Sequence, residues 1–229
     1  MRSAATTRCQ TYGHPEFRLC FDPAVVLECD IAFMLRTLED WVAGGERFAD
    51  GETIQFGWCT LVVRANPDST MSLLEPDFRQ IPINWTESVT SALLHLRRQK
   101  DTCESYFESD ALSFPSLLQS CIACTQLESA EAVVMERTDP EHAVSGWFLG
   151  CLRDEHDHNS VQQLESISLF EAVLRNARAL PYLALPPGVL LQIGPDGLPQ
   201  VYREGAQLQP RKGSYVEALV RGRPTSACS

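Results

Sequence analysis

Thr53-Ile-Gln-Phe-Gly-Trp-Cys-Thr-Leu-Val-Val-Arg64 concentrates β-branched and aromatic residues in one run, and Asn66-Pro-Asp-Ser69 turns the chain before Met71-Ser-Leu-Leu74. Such side chains suit a pleated, half-buried surface, so the stretch reads as a β-hairpin. Upstream, residues 17–21 read as a short strand. Ile31, Met34, Leu35, Leu38, Trp41 and Val42 then recur at helical spacing, with Asp30 placed to cap that helix and Gly44-Gly45 to end it. Downstream, Val89, Leu93 and Leu96 give residues 86–100 a second helical face. Strand, helix, hairpin, helix is an α+β order.

Glu108-Ser-Asp-Ala-Leu-Ser-Phe-Pro115 interrupts this pattern and divides the chain into residues 1–109 and 110–229. Each half is expected to be a small, mostly antiparallel sheet packed by helices, the two being similar in size. In the second half, residues 116–126 and 164–180 read as helices. Residues 131–136 and 146–152 read as strands across Thr138-Asp-Pro-Glu141, and a closing hairpin runs through Pro195-Asp-Gly197. Gly57-Trp58 and Gly146-Trp147 form a weak internal echo.

The chain has 229 residues, a net charge of −11 and 44% hydrophobic residues, with a pI near 4.9. That profile describes a soluble globular protein and argues against nucleic acid or an anionic membrane as the direct partner. The acidity is segregated. From Asp101 to Glu171 there are fourteen acids against two bases, Arg137 and Arg153, a balance of −12. From Gln200 onward the balance is +3. The acidic window is either a solvated face or a docking surface for a basic partner.

Nine cysteines lie scattered through apolar runs and read as reduced thiols of a cytoplasmic chain. Met1-Arg-Ser-Ala-Ala-Thr-Thr-Arg8 lacks the apolar centre of an export signal. Cys121-Ile-Ala-Cys124 has the spacing of a metal or redox pair, but without a second such pair it reads as core packing. Asp154-Glu-His-Asp-His158 offers carboxylate and imidazole ligands, and admits a solvated loop, a partner-contact loop or a metal site. Its position after an apolar strand favours a loop, and neither a metal nor a cofactor is assigned. Nucleophile-elbow, phosphate-loop and dinucleotide motifs are absent, and lysine is confined to Lys100 and Lys212. No catalytic residue is assigned.

Gly45-Glu-Arg-Phe-Ala-Asp-Gly-Glu-Thr-Ile-Gln-Phe-Gly-Trp58, Ser72-Leu-Leu-Glu-Pro-Asp-Phe78, Pro82-Ile-Asn-Trp85 and Leu96-Arg-Arg-Gln-Lys-Asp101 together resemble the immunity proteins of the thirty-three-like family, found beside bacterial polymorphic toxins. Ser168-Leu-Phe-Glu-Ala and Tyr182-Leu-Ala-Leu-Pro-Pro-Gly188 resemble the end of such proteins more loosely. The resemblance implies a non-catalytic, cytoplasmic antitoxin that guards against a type VI secretion effector by binding it.

Charge points to a nuclease as that effector, because an inhibitor presenting carboxylates complements a cleft built for phosphate. The expected partner contacts are Asp139 and Glu141, then Asp154, Glu155, His156 and Asp157, together with Glu75 and Asp77 of Glu75-Pro-Asp-Phe78. The alternatives are an enzyme or enzyme subunit with a carboxylate and histidine metal centre, and a chaperone or adaptor for a secreted effector.

Overall fold

A computed structural model describes residues 1–153 and 155–222. The fold is α+β. The chain forms two compact units, the first ending at residue 97 and the second beginning at residue 98.

The first unit opens with β1 (Arg2–Ala5) and β2 (Arg18–Phe21), paired antiparallel from Arg2↔Phe21 to Ala5↔Arg18. Helix α1 (Glu28–Ala43) buries Ile31, Met34, Leu38 and Val42, the apolar spacing read from sequence. Its first turn differs from expectation. The helix starts two residues before Asp30, with Leu27 at its cap, and the Asp30 carboxylate accepts from the Arg97 guanidinium instead of capping. A four-stranded antiparallel meander follows, formed by β3 (Thr53–Phe56), β4 (Cys59–Ala65), β5 (Met71–Pro76) and β6 (Trp85–Thr86). In β3 the burial alternates, Ile54 and Phe56 inward and Thr53 and Gln55 outward, as a half-buried sheet requires. Trp41 of α1 meets Phe56 edge-on, ring centroids 6.3 Å apart, which packs the helix against the sheet. Helix α2 (Thr90–Glu104) carries the chain across the division between the units.

The second unit is built on a seven-stranded sheet of β7 (Ser120–Cys124), β8 (Val133–Arg137), β9 (Val144–Cys151), β10 (Leu164–Ser168), β11 (Val189–Ile193), β12 (Pro199–Arg203) and β13 (Ala206–Leu208). Its order is β10-β7-β9-β8-β11-β12-β13, and β7 and β9 are its parallel pair. Helices α3 (Leu169–Arg175) and α4 (Tyr215–Val220) complete the unit.

Two expectations are corrected here. Residues 116–126 hold an interior strand rather than a helix. A run this short fits a helix as well as a strand by periodicity, and β7 is decided by hydrogen-bonding partners on both edges. The helix read over residues 164–180 is divided. Its first five residues join the sheet as β10, and the Ser168 hydroxyl then accepts the Glu171 amide hydrogen bond at 3.1 Å, starting α3. The hairpins β8–β9 and β11–β12 are as read. The echo of Gly-Trp pairs has no common geometry: Gly57-Trp58 forms the β3–β4 turn, whereas Gly146-Trp147 lies inside β9.

Among the described residues seven cysteines are free thiols, Cys9, Cys20, Cys59, Cys103, Cys121, Cys124 and Cys151. Cys29 is disulfide-bonded, which departs from the all-reduced reading. It is exposed on the first turn of α1 rather than packed in the core. Cys228 lies outside the described residues. None of the described helices is long and apolar enough to cross a membrane.

Candidate functional site

Strand β9 organises the acidic residues of the second unit. It pairs antiparallel with β8 from Val133↔Cys151 to Arg137↔Trp147, and parallel with β7 through Ile122↔Phe148 and Ala123↔Leu149. One end of β9 meets the β8–β9 turn, where Asp139 and Glu141 are exposed. Glu141 and Val144 exchange backbone hydrogen bonds there, 3.0 Å and 2.6 Å long, which closes the turn. The other end leads into the loop that carries Glu155, His156 and Asp157. Glu155 and Asp157 are exposed, and Asp157 accepts from the Asn159 amide at 2.9 Å. Asp154 lies outside the described residues.

At about 3.3 Å per residue, β9 spans roughly 25 Å, and the two acidic loops leave it from opposite ends. They are two small acidic patches at opposite ends of one strand. Glu75 and Asp77 belong to the first unit. Glu75 is buried, 3% exposed, and its carboxylate accepts from the Ala92 amide in the first turn of α2 at 2.8 Å. Its expected place as a surface contact is therefore corrected to a helix-terminus acceptor, since a carboxylate is stabilised by the unpaired amides there. Asp77 forms a bidentate pair with Arg79, at 2.6 Å and 2.7 Å. The arginine hydrogen bond holds its carboxyl below the usual range.

The parallel pairing of β7 with β9 has a second consequence. It brings the C-terminal ends of both strands together, so that Cys124 and Cys151 are neighbours although 27 positions separate them. The Cys151 amide donates to Cys124 Sγ at 3.3 Å, and Cys151 Sγ lies 3.8 Å from His158 Nε2. The His156 and His158 rings are 4.8 Å apart, and His158 meets Phe148 edge-on at 5.4 Å. Gly150 makes this approach possible, because a Cβ there would stand 2.9 Å from His158 Cε1. One ligand atom from each of Cys124, Cys151, His156 and His158 lies within 4.8 Å of all the others. Burial lowers the His158 pKa, assisted by His156 and opposed by Asp157.

Cys121 takes no part. Three positions along a strand point to opposite faces, so the Cys121-x-x-Cys124 spacing that suggests a pair on a helix separates the two thiols on β7. Sequence reasoning misses Cys151, because it reads as one more apolar residue of a strand. The available signal is Cys151-Leu-Arg-Asp-Glu-His156-Asp-His158, a thiol followed closely by two imidazoles. An open groove of about 800 Å³, lined in part by Tyr106, Gln192, Asp196, Gln207, Glu217 and Arg221, holds no histidine or cysteine.

Residues 98–204 match the Imm33-like domain family. That stretch is similar to Imm33-like domains. The matched stretch runs from the C-terminal part of α2 to β12, and it contains both acidic loops and the cysteine–histidine cluster. The motifs of residues 45–97 that resemble immunity proteins lie outside the match, which falls on the half where the resemblance is looser. No curated protein and no solved structure matches the chain.

Proposed function

We propose that this protein is an immunity protein that neutralises a cognate secreted toxin by direct binding in the cytoplasm, without catalysis. The observation that carries the reading is the match of residues 98–204 to the Imm33-like domain family. Charge refines it. A window with a balance of −12, exposed at Asp139 and Glu141 and again at Glu155 and Asp157, complements a basic surface, such as the substrate cleft of a nuclease effector delivered by type VI secretion.

The separation of the two patches along β9 makes them testable one at a time. The first measurement is co-expression with the toxin encoded beside this gene, followed by pull-down and survival; absence of both binding and protection overturns the immunity reading. The second compares Glu155→Lys/Asp157→Lys with Asp139→Lys/Glu141→Lys. Exposed charges act mainly on encounter, so the pair that faces the toxin should slow association by about tenfold at low salt and flatten its ionic-strength dependence. If both variants associate at the wild-type rate with the wild-type salt slope, the acidic surface is a solvated face. The nuclease assignment, which rests on charge, then falls.

A further inference from the structure

We propose that Cys124, Cys151, His156 and His158 form a closed, tetrahedral binding site for a zinc ion. The donor set is the first reason. Two thiols and two imidazoles are the ligands that borderline-soft divalent ions prefer, and this combination recurs in structural zinc sites.

Geometry is the second reason. Metal–sulfur bonds of about 2.3 Å and metal–nitrogen bonds of about 2.0 Å place the ligand atoms of a tetrahedral site about 3.3 to 3.8 Å from one another. The ligand atoms here all lie within 4.8 Å of one another. A closing movement of at most about 1.5 Å between any two ligand atoms is needed. The two sulfurs sit at the ends of adjacent, register-locked strands, and both cysteines are buried. The two imidazoles come from the loop that folds back over Gly150, so the histidines can make that movement while the strands stay in place.

The third reason is an unsatisfied group. His156 Nε2 is buried in the protein and has no hydrogen-bond partner. Buried polar atoms are almost always paired, and a cation held by this cluster would supply a partner to an imidazole nitrogen that has none in the protein. Binding exchanges the two thiol protons for the ion; two thiolates and two neutral imidazoles then balance its double charge, so little net charge is buried. All four positions are protein ligands, which leaves no open coordination position for substrate and makes the site structural rather than catalytic. Its effect is to clamp the Glu155–Asp157 loop onto the sheet.

The inference rests on these four residues and not on the toxin-binding reading, so each can fail alone. The test uses the full chain, reduced, with no metal-binding tag. Elemental analysis should find about one equivalent of zinc. After chelation, Co²⁺ should restore one equivalent with the intense visible absorption of a tetrahedral thiolate site, and Zn²⁺ should bleach it. His156→Gln and His158→Gln alter a half-buried loop rather than the strand core, so they keep the fold; each should weaken Co²⁺ binding by more than about tenfold. Cys121→Ser and Cys103→Ser remove buried thiols outside the cluster and should retain the full equivalent. Failure of the wild type to take up either ion overturns the proposal. So does binding that survives both histidine changes together, or that disappears with Cys121.

Discussion

Trp58 and Arg137 show how far a residue's surroundings decide its role. Trp58 is fully buried, stacked on Phe78 at 5.7 Å, and its Nε1 has no hydrogen-bond partner. The ring therefore acts through packing alone. Trp58→Ala should lower stability by about 3 to 5 kcal/mol, and Trp58→Phe, which gives up only an unused donor and some volume, by clearly less. Equilibrium urea unfolding measures both, and equal losses would show that the indole nitrogen has a partner. In the sequence, Arg137 is one of two bases in an acidic window. In the fold it is 2% exposed, and its guanidinium donates to the carbonyl of Ser113 at 2.7 Å and to those of Leu183 and Leu185. It also sits 5.4 Å from the centre of the Trp147 ring. Burial lowers its pKa to about 10. Arg137→Met keeps the apolar stem but leaves carbonyls unpaired, and should cost about 2 to 4 kcal/mol in the same assay. A loss below about 1 kcal/mol would mean that water satisfies them.

At the scale of an element, the β8–β9 hairpin depends on one position. Gly146 lies in β9 with φ +77, and a Cβ there would stand 2.3 Å from the carbonyl oxygen of Thr138. Gly205, in the β12–β13 turn, has the same φ of +77 with nothing within 4 Å of its would-be Cβ. Both alanine variants accept the left-handed conformation, at about 1 to 2 kcal/mol, but only Gly146→Ala adds the clash. It should be the more destabilising by at least about 1 kcal/mol, and equal melting of the two would show that the hairpin relaxes freely. Strand β7 teaches the complementary lesson. Leu117-Leu-Gln-Ser-Cys-Ile-Ala-Cys124 suits a helix as well as a strand, and its two neighbours in the sheet make the choice.

For the molecule as a whole, alkaline pH is the informative variable. Burial raises the thiols of Cys103 to about 11 and Cys121 to about 12, from an ordinary value of 9.0, and pushes Cys59 well above it. Tyr106 is likewise raised, to about 12. Each group holds its proton longer folded than unfolded. Their contribution is complete below pH 9 and is lost as pH rises toward 11 to 12, at about 1.4 kcal/mol per pH unit for a fully buried thiol such as Cys121. Arg137, whose pKa is lowered, opposes this only near pH 10 and above. Unfolding free energy should therefore fall steadily above pH 9, and Cys121→Ala should reduce the slope. A flat profile from pH 8 to 11 would mean that the thiols titrate normally.

The sequence by itself determined the α+β class, both helices of the first half, the hairpin from Thr53 and the segregation of acid, because these follow from local periodicity, turn chemistry and counting. A resemblance in the same residues pointed to the immunity family. What only the tertiary structure decided depends on pairing between distant segments. The parallel register of β7 and β9 made a strand of residues expected to be helical. It parted Cys121 from Cys124 and joined Cys124 to Cys151 and the two histidines. The length of β9 split one acidic window into two patches. The start of α2 drew Glu75 inward to satisfy a backbone amide. Periodicity records which face of an element is apolar, but not which other element will cover it.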